Sequence, residues 1–376
     1  EAEMANEVRA AMLQTRWTGD KESMIQLHEE HLASAAAAGA RVMCFQELFY
    51  GPYFCQVQET RYYDYAEAVP DGPTTKRFQE LAAELGMVLV LPVYEKEQEG
   101  LLYNTAAVID ADGTYLGKYR KTHIPDDPLY HEKFYFPPGD LGYPVFDTRF
   151  ARIGTLICWD QWFPEAARLS ALAGAELLVY PSAIGWHPAE RPTAGAAQHD
   201  AWRTIQRGHA IANGVFVVAI NRVGHEGPPG GGLDFWGQSF VCDPAGQVLA
   251  VGAVDRDEVV IAVCDRRQIE HQRRGEFVLD GVGLGGLGVG VAVGMHEVER
   301  DALPRVLPVD AGEFRRVNIG HRAVAKHENQ HDRLGLGRGQ RRVVFAVDVG
   351  EHQFRLGRCG QAAWPSASQR QQRGEP

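Results

Sequence analysis

The sequence predicts an α/β layered domain over roughly the first three quarters of the chain. Three observations carry this. Short apolar runs alternate with segments of helical period between residues 8 and 264. Asp/Gly turns join some runs directly, so antiparallel pairs are mixed with parallel pairs that need a crossover helix. After about Gly275 both signals stop.

The elements follow in order. Val8–Gln14 reads as a strand. Lys21–Ala38 places Met24, Ile25, Leu27 and Leu32 at helical spacing, continues into an alanine run and is closed by Gly39. Arg41–Gln46 is a buried strand. Thr74–Leu85 is a helix stopped by Gly86, and the apolar strand Met87–Val93 follows it. Tyr103–Ile109 and Tyr115–Tyr119 are strands joined by the turn Asp110-Ala-Asp-Gly113. Beyond a proline-rich loop, Ile153–Ile157 is a strand, Glu165–Gly174 a helix and Leu177–Tyr180 a strand. Ala201–Asn213 is a helix and Val215–Asn221 a strand. The hairpin Gln238–Cys242 and Gln247–Val251, turned at Asp243-Pro-Ala-Gly246, precedes the last strand, Glu258–Cys264.

Composition narrows the function. The chain has 376 residues, 45% of them hydrophobic and 23% charged, which is ordinary for a globular protein with a sizeable core. The net charge of −11 argues against a nucleic-acid partner, which needs a basic face, and weakly suits a cationic ligand. Six cysteines, at 44, 55, 158, 242, 264 and 359, form no CxxC pair, as expected of reduced thiols in a cytoplasmic protein. The first residues hold no basic and apolar secretory signal. The most apolar run, Gly281 to Met295, spans 15 glycine-rich residues, too few to cross a membrane.

The C-terminal part differs in kind. From Glu276 onward 14 basic residues stand against 12 acidic ones, so the preceding residues carry about −13. The boundary expected is a folded domain over 5–275 and an irregular extension over 276–376. The extension reads either as a loosely structured, disordered tail or as sequence displaced by a frameshift.

Three polar residues stand where buried strands end: Glu47 after Val42–Gln46, Lys121 after Gly117–Arg120 and Cys158 after Ile153–Ile157. Strand ends in open sheets are where ligands bind. Together they offer a nucleophile, a base and an electrophilic partner. Singly, Cys158 also reads as a small buried hydrophobe, Glu47 as a capping or paired carboxylate and Lys121 as a surface lysine.

The words around them decide between these readings. Cys44-Phe-Gln-Glu-Leu-Phe-Tyr-Gly-Pro-Tyr-Phe54, Tyr119-Arg-Lys-Thr-His-Ile-Pro125 and Ile157-Cys-Trp-Asp-Gln-Trp-Phe-Pro-Glu-Ala-Ala-Arg168 resemble the three signature segments of the nitrilase superfamily of carbon–nitrogen hydrolases. Their order and spacing, 74 and 37 residues, are similar to the family's as well. The resemblance covers about residues 7–274. It implies a Glu47–Lys121–Cys158 triad, with Glu132, in His131-Glu-Lys-Phe-Tyr-Phe136, as a second glutamate beside it. It also implies a four-layer αββα sandwich, a homo-oligomer built on a dimer, and no metal or organic cofactor. Cys-Trp-Asp-Gln-Trp-Phe-Pro-Glu, Glu-Lys-Phe-Tyr-Phe and Tyr180-Pro-Ser-Ala-Ile-Gly-Trp186 most resemble the branch that hydrolyses N-carbamoylputrescine to putrescine, carbon dioxide and ammonia, a step of polyamine biosynthesis. The alternative is a β-ureidopropionase or ω-amidase type of the same family. The likeness breaks off near Glu276, after Gln272-Arg-Arg-Gly275, which motivates the frameshift reading and would weaken the oligomer.

On this reading Glu47 takes the proton of Cys158 as sulfur attacks. Lys121, helped by the Trp159 backbone N–H, holds the oxyanion and favours the thiolate. Tyr50, Tyr53, Trp159 and Trp162 line a pocket for a slender chain or belong to the aromatic core. An amine product needs an acid near its far end, from Asp126, Asp127, Glu190 or Asp200; a carbamoyl acid needs an arginine clamp, from Arg191 or Arg203. His28 with His31, and His327 with His331, have helical metal-ligand spacing but read as surface histidines. Gly281, Gly283 and Gly286 fit a dinucleotide-binding pattern without the strand and helix it requires.

Overall fold

The computed structural model describes residues 6–227 and 231–274. The extension over 276–376, the histidines 327 and 331 and the glycine-rich run at 281–290 lie outside the described residues.

The first sheet contains β1 (Glu7–Gln14), β2 (Val42–Phe45), β3 (Val88–Gln98), β4 (Leu101–Ile109) and β5 (Tyr115–Arg120) in spatial sequence. The second contains β6 (Val145–Asp147), β7 (Arg152–Thr155), β8 (Leu177–Pro181), β10 (Phe216–Ile220), β13 (Phe240–Cys242) and β14 (Val248–Val251). A small third sheet is built of β9 (Gly185–Trp186), β11 (Val223–Glu226) and β12 (Leu233–Trp236). The last strand, β15 (Glu258–Asp265), returns to the first sheet antiparallel to β1.

The helices are α1 (Lys21–Ala37), α2 (Pro73–Leu85), α3 (Pro164–Leu172), α4 (Gly195–Asn213) and α5 (Arg267–Arg274). α1 and α2 cover the first sheet, α3 and α4 cover the second, and the two sheets face each other through β1 with β10 and β2 with β8. This is the expected αββα order of layers.

The period-2 pleat builds the two cores. Ala10, Met12, Val42, Cys44, Val88 and Val90 face the second sheet. Their neighbours Ala11, Leu13, Met43, Phe45, Leu89 and Leu91 face the helices, where Phe78 of α2 and Leu32 of α1 meet them. A fully buried phenylalanine such as Phe78 is worth about 3–5 kcal/mol against alanine. Helix ends follow their chemistry. Asp20 caps α1 through the Ser23 N–H at 2.9 Å, Pro73 opens α2, and Gly86 closes it at φ +62°.

Two boundaries differ from the sequence reading by more than two residues. α4 begins at Gly195, six residues before Ala201, because Gly195 packs beneath Trp186, whose indole N–H bonds its carbonyl. β3 runs on to Gln98 because its polar end pairs with β4 as far as Leu101.

That polar end carries a buried charge cluster. The Glu95 carboxylate accepts hydrogen bonds from Arg120, Lys118 and Thr105. Burial raises its pKa, but these donors outweigh burial and hold it down to about 2. The folded value lies below the ordinary carboxylate value of about 4.3. The stabilisation is therefore complete above that pH and is lost as the pH falls toward 2. Denaturant unfolding from pH 3 to 7 should find Glu95→Gln less stable by about 3 kcal/mol at neutral pH, with the gap to the parent closing in acid.

Candidate active site

Glu47, Lys121 and Glu132 meet at the ends of β2 and β5. The Lys121 Nζ donates to Glu47 Oε1 at 2.7 Å and to Glu132 Oε2 at 2.6 Å. Asn104 of β4 adds a second donor to Glu47 Oε1, at 2.8 Å, while its carbonyl accepts the Lys121 N–H. Tyr53 donates to Glu132 Oε1 at 2.7 Å. Glu47 Oε2 is buried and has no hydrogen-bond partner. Burial opposes the charge on Lys121, but Glu132 and Glu47 outweigh it and lift the ammonium's pKa well above its ordinary value. Burial pushes Glu132 up to about 7; Lys121 lowers it and Glu47 raises it.

Gly139 holds the 131–140 segment against β5. Its N–H bonds the Lys121 carbonyl at 2.8 Å, and a Cβ there would lie 2.1 Å from the Arg120 carbonyl oxygen.

Cys158 opens a one-turn 3-10 segment, Cys158–Trp162, separated by two residues from the end of β7 at Thr155. Its φ of +44° is rare for a residue with a side chain and marks a sharp, strained elbow. The thiol is 3% exposed and feels the charges of Glu47, Lys121 and Glu132. Burial, then Glu47, push its pKa well above the ordinary value; Lys121 and a backbone hydrogen bond from Ala183 only partly oppose them. The resting group is thus a thiol: Lys121 does pull toward the thiolate, but desolvation and Glu47 outweigh it.

Asp160 joins this elbow to the lysine. Its carboxylate is fully buried and accepts from the Ile157 N–H at 2.9 Å, Tyr119 Oη at 2.7 Å and the His123 N–H at 2.9 Å. His123 Nδ1 lies 2.7 Å from it, and the His123 ring stacks on Phe163 at 3.7 Å. Residues on either side of Lys121 are therefore tied to the turn that bears Cys158.

The remaining candidates divide. Tyr53 and Glu132 belong to the cluster. Trp159 and Trp162 pack edge to face at 6.3 Å. Tyr50 is core: it is 2% exposed and its hydroxyl bonds the carbonyls of Tyr65 and Tyr94. His28 and His31 bond back to carbonyls of their own helix, and His28 sits between Phe45 and Phe49 rather than at a surface. Arg191 is engaged by Asp234 and lies over the Trp186 ring. An open cleft of about 420 Å³ lined by Tyr63, Lys96, Lys133 and Phe134 includes none of Glu47, Lys121 and Cys158.

Sequence reasoning missed Asn104, Asp160, Arg222 and Glu226. Arg222 gave the same signal as Glu47, a charged residue directly after an apolar strand, and Asn104 interrupts the apolar run of β4.

The chain is that of a hydrolase of carbon–nitrogen bonds other than peptide bonds. The chain matches the carbon–nitrogen hydrolase family over residues 9–274 and belongs to it, within the nitrilase superfamily. It is 44% identical to an N-carbamoylputrescine amidase of Solanum lycopersicum over 73% of this chain and 91% of that protein. A citrullinase of Francisella tularensis is 38% identical over 72% of this chain and 93% of that protein. The crystal structure of a carbon–nitrogen hydrolase from Helicobacter pylori G27 superposes with a TM-score of 0.68 at 41% identity, covering 71% of this chain and 92% of that one. Among the described residues no helix is long and apolar enough to cross a membrane.

Asp160→Asn tests the joint. The amide keeps one acceptor and turns its NH2 toward donors, so stability to denaturant should fall by about 2 kcal/mol. Ammonia release should fall with it at temperatures where the variant remains folded.

Proposed function

We propose that the protein is a cofactor-independent cysteine amidohydrolase of N-carbamoyl amines that converts N-carbamoylputrescine and water to putrescine, carbon dioxide and ammonia. The observation that carries this is the Lys121 ammonium between two carboxylates, one of which keeps a free oxygen, in a chain 44% identical to N-carbamoylputrescine amidases.

A ureido carbonyl is a poor electrophile, and a thiol with a raised pKa is a poor nucleophile. The proton must leave sulfur as the carbon–sulfur bond forms. Glu47 Oε2, buried and unpartnered, takes it. Lys121 Nζ, and the Trp159 N–H, stabilise the oxyanion; the ammonium stays charged at neutral pH because both carboxylates hold its pKa up. Glu47 returns the proton as ammonia departs and leaves a thiocarbamate ester on Cys158. Water then gives a proton to Glu47 and its oxygen to the carbonyl carbon. The thiol re-forms, and the released N-carboxy amine breaks down to putrescine and carbon dioxide. Glu132 and Tyr53 hold Lys121 in register.

The engagement of Arg191 by Asp234 favours an amine over a carbamoyl acid, which needs a free guanidinium. The citrullinase relative favours a second reading, a ureido amino acid as substrate. The proposal includes a small-molecule partner rather than nucleic acid or membrane, a place in polyamine biosynthesis, a cytoplasmic location, a homo-oligomer built on a dimer and a hydrolase unit ending near residue 275.

Ammonia release over N-carbamoylputrescine, citrulline, β-ureidopropionate and an ω-amide tests the substrate; the carbamoyl amine should lead. Cys158→Ala and Cys158→Ser should lose about 10³-fold or more in kcat with an unchanged circular dichroism spectrum. Residual activity above about a tenth of the parent would remove Cys158 from the nucleophile's role.

A further inference from the structure

One buried ion pair outside the reacting groups grips both ends of the segment that carries Glu47. Arg222, separated by Asn221 from the end of β10 at Ile220, is fully buried. Its Nη2 donates to three carbonyls of one loop: Glu47 at 3.1 Å, Leu48 at 2.7 Å and Gly51 at 2.9 Å. Its Nη1 donates to Glu226 Oε1 at 2.8 Å, and Glu226 Oε2 accepts the Tyr53 N–H at 2.6 Å.

The loop needs such a grip. Leu48 sits at φ +51°, a conformation that persists only where its surroundings over-determine it. Its carbonyl and those beside it converge on one point, and a planar guanidinium satisfies several acceptors there at once. From this loop the chain of contacts leads straight to the site. Glu47 lies at one end. Tyr53 lies at the other and, through Glu132, reaches Lys121.

We propose that Arg222, with Glu226 as its counter-ion, is a positioning residue for the reaction: it fixes the Glu47 carboxylate relative to Cys158 by clamping the backbone of residues 47–53. The inference rests on the reading of Glu47 as the base that deprotonates Cys158. Arg222 touches no reacting atom. It acts on the rate at which the thiol proton is transferred and leaves the binding of substrate alone.

The test is Arg222→Lys, which keeps the charge but offers one nitrogen in place of the fork, with Glu226→Gln as a second variant that keeps the shape and removes the counter-charge. Each is measured at a temperature below its melting transition for kcat, for KM, and for the rate at which iodoacetamide alkylates Cys158, read at that cysteine by mass spectrometry. The expected result is a kcat lower by about 10–100-fold per folded molecule, KM within about twofold and alkylation slowed in parallel, as a displacement of about 1 Å would produce. Parental kcat and alkylation rate in a variant whose melting temperature has dropped would overturn the inference, because the pair would then be structural only. Cys158→Ala run alongside separates the two ideas. If it is dead while Arg222→Lys turns over normally, the positioning role alone falls; if it is active, the mechanism beneath it falls.

Discussion

Burying an ammonium in a protein interior costs several kcal/mol unless the charge is met at close range. Lys121 is 1% exposed, and two carboxylates meet it within 2.7 Å. The cluster carries one more negative than positive charge, which explains why burial can push Glu132 up while Lys121 stays charged. It also dictates what surrounds it. Each carboxylate needs a further donor, supplied by Asn104 and Tyr53, so the site draws on β2, β4, β5 and the 131–140 segment at once.

Holding these pieces in register falls to two buried acidic residues that serve backbone rather than chemistry. Asp160 gathers donors from the cysteine elbow and from both sides of Lys121. Glu226 and Arg222 gather the loop after Glu47. Each stands beside a residue with positive φ, Cys158 in one case and Leu48 in the other. Strained backbone and saturated side-chain acceptors thus occur together, which is how a fold keeps an unfavourable local conformation without relaxing it.

How much of this was legible depended on range. Apart from β6, the strands of both large sheets follow from local apolar runs, and apart from α5 the helices follow from period and capping, since those signals are written within a few residues of each other. The order of layers and the positions of Glu47, Lys121 and Cys158 at strand ends were accessible through their motifs. The pairing partners were not. β9, β11 and β12 are short strands of two to four residues, and the pairing of β9 with β12 joins distant segments. Asp160 carried no independent signal of its role, because its donors His123 and Tyr119 sit 37 and 41 residues away. The start of α4 was missed because a glycine opens it, and what makes that tolerable is the indole of Trp186. Tyr50 looked like its neighbour Tyr53 in sequence, yet the Tyr50 hydroxyl bonds the carbonyls of Tyr65 and Tyr94 while that of Tyr53 reaches Glu132, partners that lie distant in the chain.

The elbow at Cys158 has an implication for survival under oxidative stress. Peroxide attacks thiolates far faster than thiols. A cysteine whose pKa is raised by burial and by a neighbouring carboxylate spends its resting time as a thiol. In the proposed reaction it becomes reactive only during the encounter with a carbonyl, as Glu47 takes the proton. If Cys158 is the nucleophile, as proposed, the arrangement separates nucleophilicity from redox sensitivity: the sulfur serves a hydrolytic reaction without standing as a ready target for peroxide.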